Sequence, residues 1–265
     1  MESLDVLQRF RKIELEPFPH IYIENCLPEK IFLELANSWP EFIFKGRLPE
    51  KNSQDTTFRV NAEEVLKNAS IEKIWKDFFT FHTSPKFFLR IAELFSNFLD
   101  KESFSFSNKL FSPTTIRRSK NSIYSRIIKK PFVTDCQFVK NLPMPEDETF
   151  RAPHLDNPIE IYAGLLYFKD IKDNSSGGDL SIFSLKKGKK INILKRGDRS
   201  IDPSIIKLEK TYPYAANNLV ILPNLKNSVH GVTPRNQATE DRKSINFISE
   251  FNDGKKMWYL PEVTK

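Results

Sequence analysis

Three residues of this chain have the types and spacing of a metal-binding set: His154, Asp156 and His230. Two imidazoles and one carboxylate can hold ferrous iron on one face and leave the opposite positions open for an oxidant and a substrate. Residues two apart in an extended strand point to the same side, so His154 and Asp156 can reach one metal while Leu155 packs the other way. His230 must then come from a different strand that the fold brings alongside.

The remaining histidines and the cysteines do not offer an equivalent site. A nitrogen and oxygen set without thiolate suits Fe(II) better than a structural zinc ion, which usually recruits cysteine. Cys26 and Cys136 are not spaced for a zinc site or a disulfide framework, so we expect free thiols in a reducing compartment. The other two of the four histidines, His20 and His82, are expected to be structural or solvent-facing residues.

Length and composition limit the number of domains and the location of the protein. The 265 residues are 39% hydrophobic, which is enough to bury a full core in one large domain or two small ones. The chain does not open with a charged-then-apolar segment, and it has no apolar run of about 18 residues. We therefore expect a soluble, cytoplasmic protein that does not contact a membrane.

The net charge of +7 raises the question of a nucleic-acid partner. Basic residues are concentrated in 117–130 and 186–199, and such patches can neutralise phosphates. Basic clusters are more often solvated surface, however, and an anionic small substrate would be served equally well. Nucleic acid is therefore not the favoured partner.

The elements that must position these residues differ between the two halves of the chain. Residues 1–130 are predicted to form a mainly helical N-terminal region with one strand at 20–23. One helix is predicted to begin at Pro28 and to end before Pro40, and a second to open at Ser84 and run to about residue 98.

From residue 131 the hydrophobic period changes to two, which is typical of an all-β sandwich or barrel. Strands are predicted at 132–139, 161–168, 180–184, 191–194, 218–222, 228–233 and 243–251. The predicted fold is mainly β with N-terminal helices: a double-stranded β-helix, the cupin-like jelly roll, with the helices of 1–130 as a buttress in the same unit. Residues 131–252 would form the core, and 253–265 a C-terminal tail.

Five segments of the β region match the motifs of a known family: 152–158, 165–168, 176–183, 228–232 and 242–247. Together they resemble the iron(II)/2-oxoglutarate-dependent oxygenases and, within that superfamily, the prolyl-hydroxylase-like branch. Segment 17–23 resembles the opening of bacterial and phage members. The resemblance implies Fe(II), O2 and the cosubstrate 2-oxoglutarate, with ascorbate as an additional reductant. The implied reaction hydroxylates a C–H bond and releases succinate and CO2.

The resemblance gives the metal to His154, Asp156 and His230, and the distal carboxylate of 2-oxoglutarate to Arg242, with Ser244 as its hydroxyl partner. The strand pattern agrees, because Arg242 and Ser244 share one face of the predicted strand. A guanidinium can also grip a carboxylate with two parallel hydrogen bonds. Arg235 lies in a turn motif and is expected to be exposed.

Two further residues are candidates for the cosubstrate pocket. Tyr167 matches a tyrosine that the family often has, although it could equally be a core aromatic residue. Gln137 lies on the strand before the iron loop and is expected to line the pocket. Gly177 and Gly178 most simply serve a tight turn or bulge.

Three functions are compatible with these motifs. The favoured one is a hydroxylase acting on a protein side chain, an amino acid or a small metabolite. The second is an oxidative nucleic-acid demethylase, but that branch has a second arginine six residues after the first, where this chain has Ile248. The third is a non-enzymatic cupin-like binding protein, which the intact ligand set argues against. The loops at 141–153, 185–210 and 233–241 are expected to surround the pocket, and they indicate neither the substrate nor the oligomeric state.

Overall fold

The computed structural model describes residues 2–50, 56–99, 114–116, 131–149, 151–191, 199–252 and 254–259. The α-helices of this part of the chain are α1 (Glu29–Asn37), α2 (Ala62–Lys67), α3 (Lys73–His82) and α4 (Pro85–Leu94). None of the helices in these ranges has the length and apolar character needed to cross a bilayer.

The β-strands occupy most of the second half of the chain. In chain order they are β1 (Ile21–Ile23), β2 (Thr57–Val60), β3 (Thr114–Ile116), β4 (Phe132–Asn141), β5 (Glu160–Tyr167), β6 (Ser176–Gly177), β7 (Leu180–Leu185), β8 (Ile206–Tyr212), β9 (Leu219–Pro223), β10 (His230–Val232), β11 (Arg235–Asn236) and β12 (Arg242–Phe251). The described chain is therefore mainly β, as the sequence predicts.

The largest sheet has seven strands in the order β1-β9-β5-β12-β4-β2, with β3 paired to β4. All of its pairings are antiparallel except that of β3 with β4. The long strand β12 lies between β4 and β5 and pairs with both. Side chains on one face of β12 are therefore flanked by those of two neighbouring strands.

A second sheet of three strands, in the order β10-β7-β8, packs against the first. A buried apolar cluster joins the two sheets: Leu180, Ile182 and Tyr212 come from the small sheet, and Val220 and Leu222 from the large one. The short strands β6 and β11 form a separate two-stranded ladder. Two sheets with a shared apolar interior leave room between them for a site.

The other face of the large sheet is covered by helices. Trp75 and Phe78 of α3 are fully buried, and the Trp75 ring lies 4.6 Å from the Phe138 ring of β4, centroid to centroid. Phe78 contacts Phe247 of β12, with ring centroids 6.1 Å apart. Each fully buried apolar side chain stabilises the fold by roughly 1.5–3 kcal/mol. This core fixes the positions of β4 and β12 from the helix-covered face of the large sheet.

The predicted strands agree with the structure to within one or two residues, except for 191–194. Residue 191 is not in a strand, and 192–194 lie outside the described residues. Strand β2 and helices α2 and α3 were not predicted, and β8 occupies part of the predicted loop 185–210.

Two helix boundaries also differ from the prediction. Pro28 is the N-cap of α1 rather than its first residue. The second predicted helix, α4, ends at Leu94 instead of continuing to about residue 98. The division of the chain at residue 130 stays a prediction, although β1 and β2 belong to the large sheet.

Candidate active site

The structure brings His154, Asp156 and His230 together. One ligand atom from each of these residues lies within 4.8 Å of the others. The Nε2 atoms of His154 and His230 lie 3.4 and 3.5 Å from the two carboxylate oxygens of Asp156. All three residues line one cavity of about 330 Å³ between the two sheets.

Backbone pairing places the two histidines side by side. His154 N donates to His230 O at 2.8 Å, and His230 N donates to His154 O at 3.1 Å. Residues 154–156 are extended but do not form a regular strand, and His154 pairs with His230 and Ser200 through isolated bridges. Leu155 nevertheless packs away from the cavity in a separate apolar cluster, as the alternation of an extended segment requires.

A glycine permits this close pairing. A Cβ built on Gly231 would lie 3.0 Å from the backbone nitrogen of Pro153, which is tighter than ordinary van der Waals contact. The absence of a side chain beside His230 therefore lets the His154 segment lie directly against β10.

Second hydrogen bonds fix the orientation of both imidazoles. The Nδ1 atom of His154 lies 2.9 Å from Ala152 O, and that of His230 lies 2.9 Å from Ser228 O. A carbonyl oxygen can only accept, so each Nδ1 carries the proton and each Nε2 has a lone pair directed at the shared point. This is the arrangement that a metal-binding histidine needs.

The electrostatics favour neutral imidazole and ionised carboxylate. Burial and, as a smaller cause, the neighbouring His230 lower the pKa of His154 to about 3. Burial alone would raise the pKa of Asp156, but His230, His154 and Arg151 together outweigh it and hold that pKa below its usual range. Both residues thus have the protonation state of a metal ligand near neutral pH.

Arg242 lines the same cavity. It is 2% exposed, and its guanidinium carbon lies 4.8 Å from the ring centroid of Tyr167 and 4.9 Å from that of Tyr214. Its Nε donates to Gly178 O at 2.9 Å. The guanidinium is therefore held rigidly between two aromatic rings, where it can receive an anion.

The predicted faces of β12 are observed. Ser244 and Asn246 line the cavity together with Arg242, whereas Ile245 and Phe247 belong to the core behind the sheet. Ser244 Oγ donates to Asn246 Oδ1 at 2.9 Å.

Gln137 lines the same cavity from β4. Its Nε2 donates to Asp135 Oδ2 at 2.7 Å, and its Oε1 accepts from Arg59 Nη1 at 3.2 Å. Gln137 is therefore fixed at both ends of its amide, which suits a residue that shapes the pocket.

Tyr167 is fully buried beside Arg242 and continues the face of β5 on which Ala163 and Leu165 line the cavity. Its hydroxyl has no hydrogen-bond partner among the described residues. Burial raises the pKa of Tyr167, and the Arg242 guanidinium opposes this rise only in part. A neutral phenol with an unused donor next to a guanidinium is suited to a bound carboxylate.

The expectation that Arg235 is exposed is wrong. Arg235 is 7% exposed, and its Nη2 lies 2.8 Å from Asp173 Oδ2. Its Nε also donates to Ser175 Oγ at 3.2 Å. The turn motif does place Arg235 at a chain reversal, but the segment containing Asp173 folds over it. Arg235 does not line the cavity that contains the three candidate metal ligands, although it lines a much smaller cavity of about 10 Å³ together with Arg242.

The two adjacent glycines have the conformation expected of a turn or bulge. Gly177 and Gly178 have φ values of 79° and 74°, in the left-handed region that side chains disfavour. A Cβ on Gly178 would lie 2.6 Å from Arg235 Cγ. The turn thus brings Gly178 O to Arg242 while leaving space for Arg235.

Sequence reasoning missed three further arginines of the cavity wall. Arg59 of β2, Arg151 and Arg199 line the cavity. Arg151 and Arg199 come from two of the predicted surrounding loops, whereas the described part of 233–241 does not line it. In the sequence, only the position of Arg151 just before His154 could have indicated that it lines the cavity.

No protein-family model and no curated protein matches this sequence. Among solved structures, the chain is similar to a Pseudomonas putida prolyl-4-hydroxylase at 13% identity, with a TM-score of 0.47 and coverage of 94% of this chain and 97% of the other. It is also similar to a Trichoplax adhaerens prolyl hydroxylase bound to a hypoxia-inducible-factor peptide, at 11% identity, a TM-score of 0.48 and coverage of 89% and 86%. A Burkholderia pseudomallei oxidoreductase of the 2-oxoglutarate–Fe(II) oxygenase family matches at 12% identity, a TM-score of 0.44 and coverage of 93% and 91%. Two of these solved structures are thus prolyl hydroxylases, and the third is a 2-oxoglutarate–Fe(II) oxygenase.

Proposed function

We propose that this protein is an Fe(II)/2-oxoglutarate-dependent dioxygenase that hydroxylates a C–H bond of a protein side chain, an amino acid or a small metabolite, with release of succinate and CO2. The observation that supports it is the convergence of His154, Asp156 and His230 within 4.8 Å in a cavity that also contains the buried Arg242. Two imidazoles and one carboxylate on one side of a cavity are the ligand set of non-haem Fe(II) oxygenases.

We also propose that the two packed sheets form a double-stranded β-helix. The antiparallel order of the large sheet and the smaller sheet that packs on it are compatible with that jelly roll. In this arrangement His154 and His230 lie at the edge of the small sheet, and Arg242 begins the central strand of the large one.

The residues fit the metal that the proposal requires. The Nε2 lone pairs of His154 and His230 and the carboxylate of Asp156 would hold Fe(II), which supplies oxygen activation when it is bound. The carbonyls of Ala152 and Ser228 keep the imidazoles from turning. If either carbonyl moved, the imidazole that donates to it could turn, and the metal ligands would be less well oriented.

The residues also fit 2-oxoglutarate. Its distal carboxylate would bind Arg242, with the unpartnered Tyr167 hydroxyl as a further donor. Ser244 would also donate once its hydroxyl turns from Asn246 Oδ1 to the carboxylate. Burial of Arg242 excludes water from this end of the cavity, which strengthens the charge pair. Gln137 shapes the neighbouring wall and is proposed to line the cosubstrate pocket.

Metal content tests the ligand assignment. Purified protein reconstituted with Fe(II) should bind one ion, and Asp156→Ala and His230→Ala should each lose most of it. Asp77→Ala, which removes an exposed carboxylate on α3, should keep the full content. Both ligand variants should stay folded, because the apolar core does not include these residues.

Conversion of 2-oxoglutarate to succinate, with ascorbate as reductant, then tests the activity. Wild-type protein should form succinate in an iron-dependent way, and the two ligand variants should not. Unchanged iron stoichiometry in both variants would refute the metal site. Iron binding without any succinate would favour a non-enzymatic binding protein.

A further inference from the structure

Three guanidinium groups line the cavity in addition to Arg242: Arg59, Arg151 and Arg199. Arg59 has local partners, because its Nε lies 2.9 Å from Glu50 Oε2 and its Nη1 donates to Gln137. Arg199 Nε donates to the backbone oxygen of Leu155. Both side chains therefore stabilise the cavity wall through these contacts.

Arg151 differs from these two. It is half-buried and lines the cavity, and none of the described residues accepts a hydrogen bond from its guanidinium. A guanidinium has five N–H donors in a fixed fork, so its geometry is suited to a planar or tetrahedral anion. Burial lowers the pKa of Arg151, and the nearby Asp156 opposes this, but an arginine keeps its charge at any ordinary pH.

Metal binding would change the surroundings of this charge. In the structure, Asp156 is the largest attractive influence on Arg151. Once Asp156 binds a divalent cation, its negative charge is neutralised by the metal, and the metal itself repels the guanidinium. The cosubstrate carboxylate would be paired with Arg242, so it would not compensate Arg151. In a loaded site Arg151 would keep only the weaker attraction of Glu160, which the positive charges of Arg199 and Arg59 oppose, so its guanidinium would still favour a bound anion.

On the basis of the proposed function, we infer that the primary substrate is a small molecule with a carboxylate or phosphate group that binds Arg151. Its apolar part would contact Leu165, Leu180 and Val232, which line the same cavity. The cavity volume of about 330 Å³ is at the small end of the range for small-molecule sites. Glu50 and Glu160 also line the cavity, and their negative charges disfavour a polyphosphate backbone.

Paramagnetic relaxation tests this inference without turnover. Protein loaded with Mn(II) in place of Fe(II), and with 2-oxoglutarate, is titrated with inorganic phosphate in one arm and acetate in the other. An anion held by Arg151 lies close to the metal, so its ³¹P or ¹H relaxation should show a saturable enhancement. The arm with the tighter binding identifies the phosphate or the carboxylate as the preferred group.

Variants assign the effect to Arg151. Arg151→Gln should weaken anion binding by at least about tenfold, because a partly desolvated charge pair is worth more than 1.4 kcal/mol. Arg151→Lys should retain part of it. Arg11→Gln removes the same charge from an exposed position outside this cavity and should change nothing.

Each contrary result has a distinct meaning. Absence of saturable enhancement in wild-type protein, or equal enhancement in Arg151→Gln, would overturn the inference. Enhancement for a short oligonucleotide but for neither small anion would also overturn it and would assign this part of the cavity to nucleic-acid binding. Failure of Mn(II) to bind, visible in its own electron paramagnetic resonance spectrum, would refute the proposed function and this inference with it.

Discussion

All four histidines of the chain place Nδ1 near a backbone carbonyl, so the direction of Nε2 distinguishes them. The Nε2 of His20 contacts the Tyr212 hydroxyl, and that of His82 faces Val6 N at 3.5 Å. Those of His154 and His230 face the Asp156 carboxylate across a cavity. The sequence indicated this pair through the spacing to Asp156 and the flanking motifs. The pairing of His154 with His230 depends on a distant strand, which only the fold supplies.

Arg242→Ala should raise the KM for 2-oxoglutarate by at least an order of magnitude and leave iron binding near normal. Loss of the guanidinium leaves the distal carboxylate without its partner in a partly dry pocket, a cost of about 2–5 kcal/mol. Arg242→Lys should recover only part of this loss, because an ammonium cannot form two parallel hydrogen bonds. Steady-state kinetics with varied 2-oxoglutarate measure the effect.

Lys243→Ala is the matched control for this experiment. Lys243 is the next residue on β12, but it faces the helices and pairs with Glu41 at 2.5 Å. Its loss should not change the KM for 2-oxoglutarate. Arg235→Ala is a poor control, because it would leave Asp173, with a side chain 1% exposed, without its partner; breaking such a buried pair typically costs about 3–5 kcal/mol. Equal effects of Arg242→Ala and Lys243→Ala would remove the cosubstrate assignment.

Tyr167→Phe separates a cosubstrate role from a purely structural one. The hydroxyl has no partner among the described residues, so its removal should leave the unfolding free energy of the cofactor-free protein unchanged or slightly higher. If the hydroxyl donates to the bound carboxylate, the KM for 2-oxoglutarate should rise several-fold, the worth of one hydrogen bond at about 0.5–1.5 kcal/mol. Urea unfolding and kinetics give the two readouts. A fall in stability with no change in KM would make Tyr167 a core residue only.

At the scale of elements, alternation predicted the strands that matter for the site. In β12, Arg242 and Ser244 alternate with Ile245 and Phe247, so both the strand and its two faces follow from the order of residues. Helix α3 was missed although Trp75 and Phe78 lie on its buried face. It has no proline at its start, which is the signal that marked α1 and α4, and no side-chain N-cap. The short strand β2 was missed because its pairing with β4, and not its own pattern, makes it a strand.

Buried charge was the least predictable property of these elements. The turn residues around Arg235 correctly indicate a chain reversal, but turn chemistry does not show whether another segment covers the reversal. Here Asp173 and Ser175 cover it and pair with Arg235. Such a long-range pair has no pattern in the sequence on either side.

Gly178→Ala should affect both stability and cosubstrate binding. Its φ of 74° makes any side chain strained, and the new Cβ would lie 2.6 Å from Arg235 Cγ. Backbone strain of this kind costs about 1–3 kcal/mol, and the shift would move Gly178 O away from Arg242 Nε. Thermal unfolding should show lower stability, and the KM for 2-oxoglutarate should rise.

Gly188→Ala provides the comparison at the same backbone geometry. Its φ is 75°, but nothing lies within 4 Å of the added Cβ. This variant should show the backbone strain alone, with a smaller loss of stability and an unchanged KM. If the two variants are equally destabilised and neither changes the KM, the Gly178 turn does not position Arg242.

At the scale of the whole molecule, the site and the main core are separated by the large sheet. The helices pack on one face, around Phe138 and Phe247, and the cavity lies on the other, around Gln137 and Asn246. Metal ligands are therefore not needed to complete the core. This separation lets the cavity carry charged and polar residues while the helix-covered face supplies the hydrophobic stabilisation.

The stability of the whole molecule should fall in acid through buried neutral histidines, of which His82 is the clearest case. His82 is 1% exposed among phenylalanine rings, and burial lowers its pKa to about 3. In the unfolded chain its pKa is near 6.5. Below that pH, unfolding is therefore accompanied by protonation of His82, which stays neutral in the folded protein. The stability that depends on neutral His82 is fully present above pH 6.5 and decreases as the pH falls. The loss reaches about 2 kcal/mol at pH 5.

His82→Phe should therefore lose about 2 kcal/mol less stability than wild type between pH 7.5 and pH 5, as measured by urea unfolding of chelator-treated protein. Its stability at pH 7.5 can differ from wild type through packing, and only the pH dependence is diagnostic. Equal losses in the two proteins would mean that His82 is protonated in the folded state, in conflict with the burial that the structure gives it.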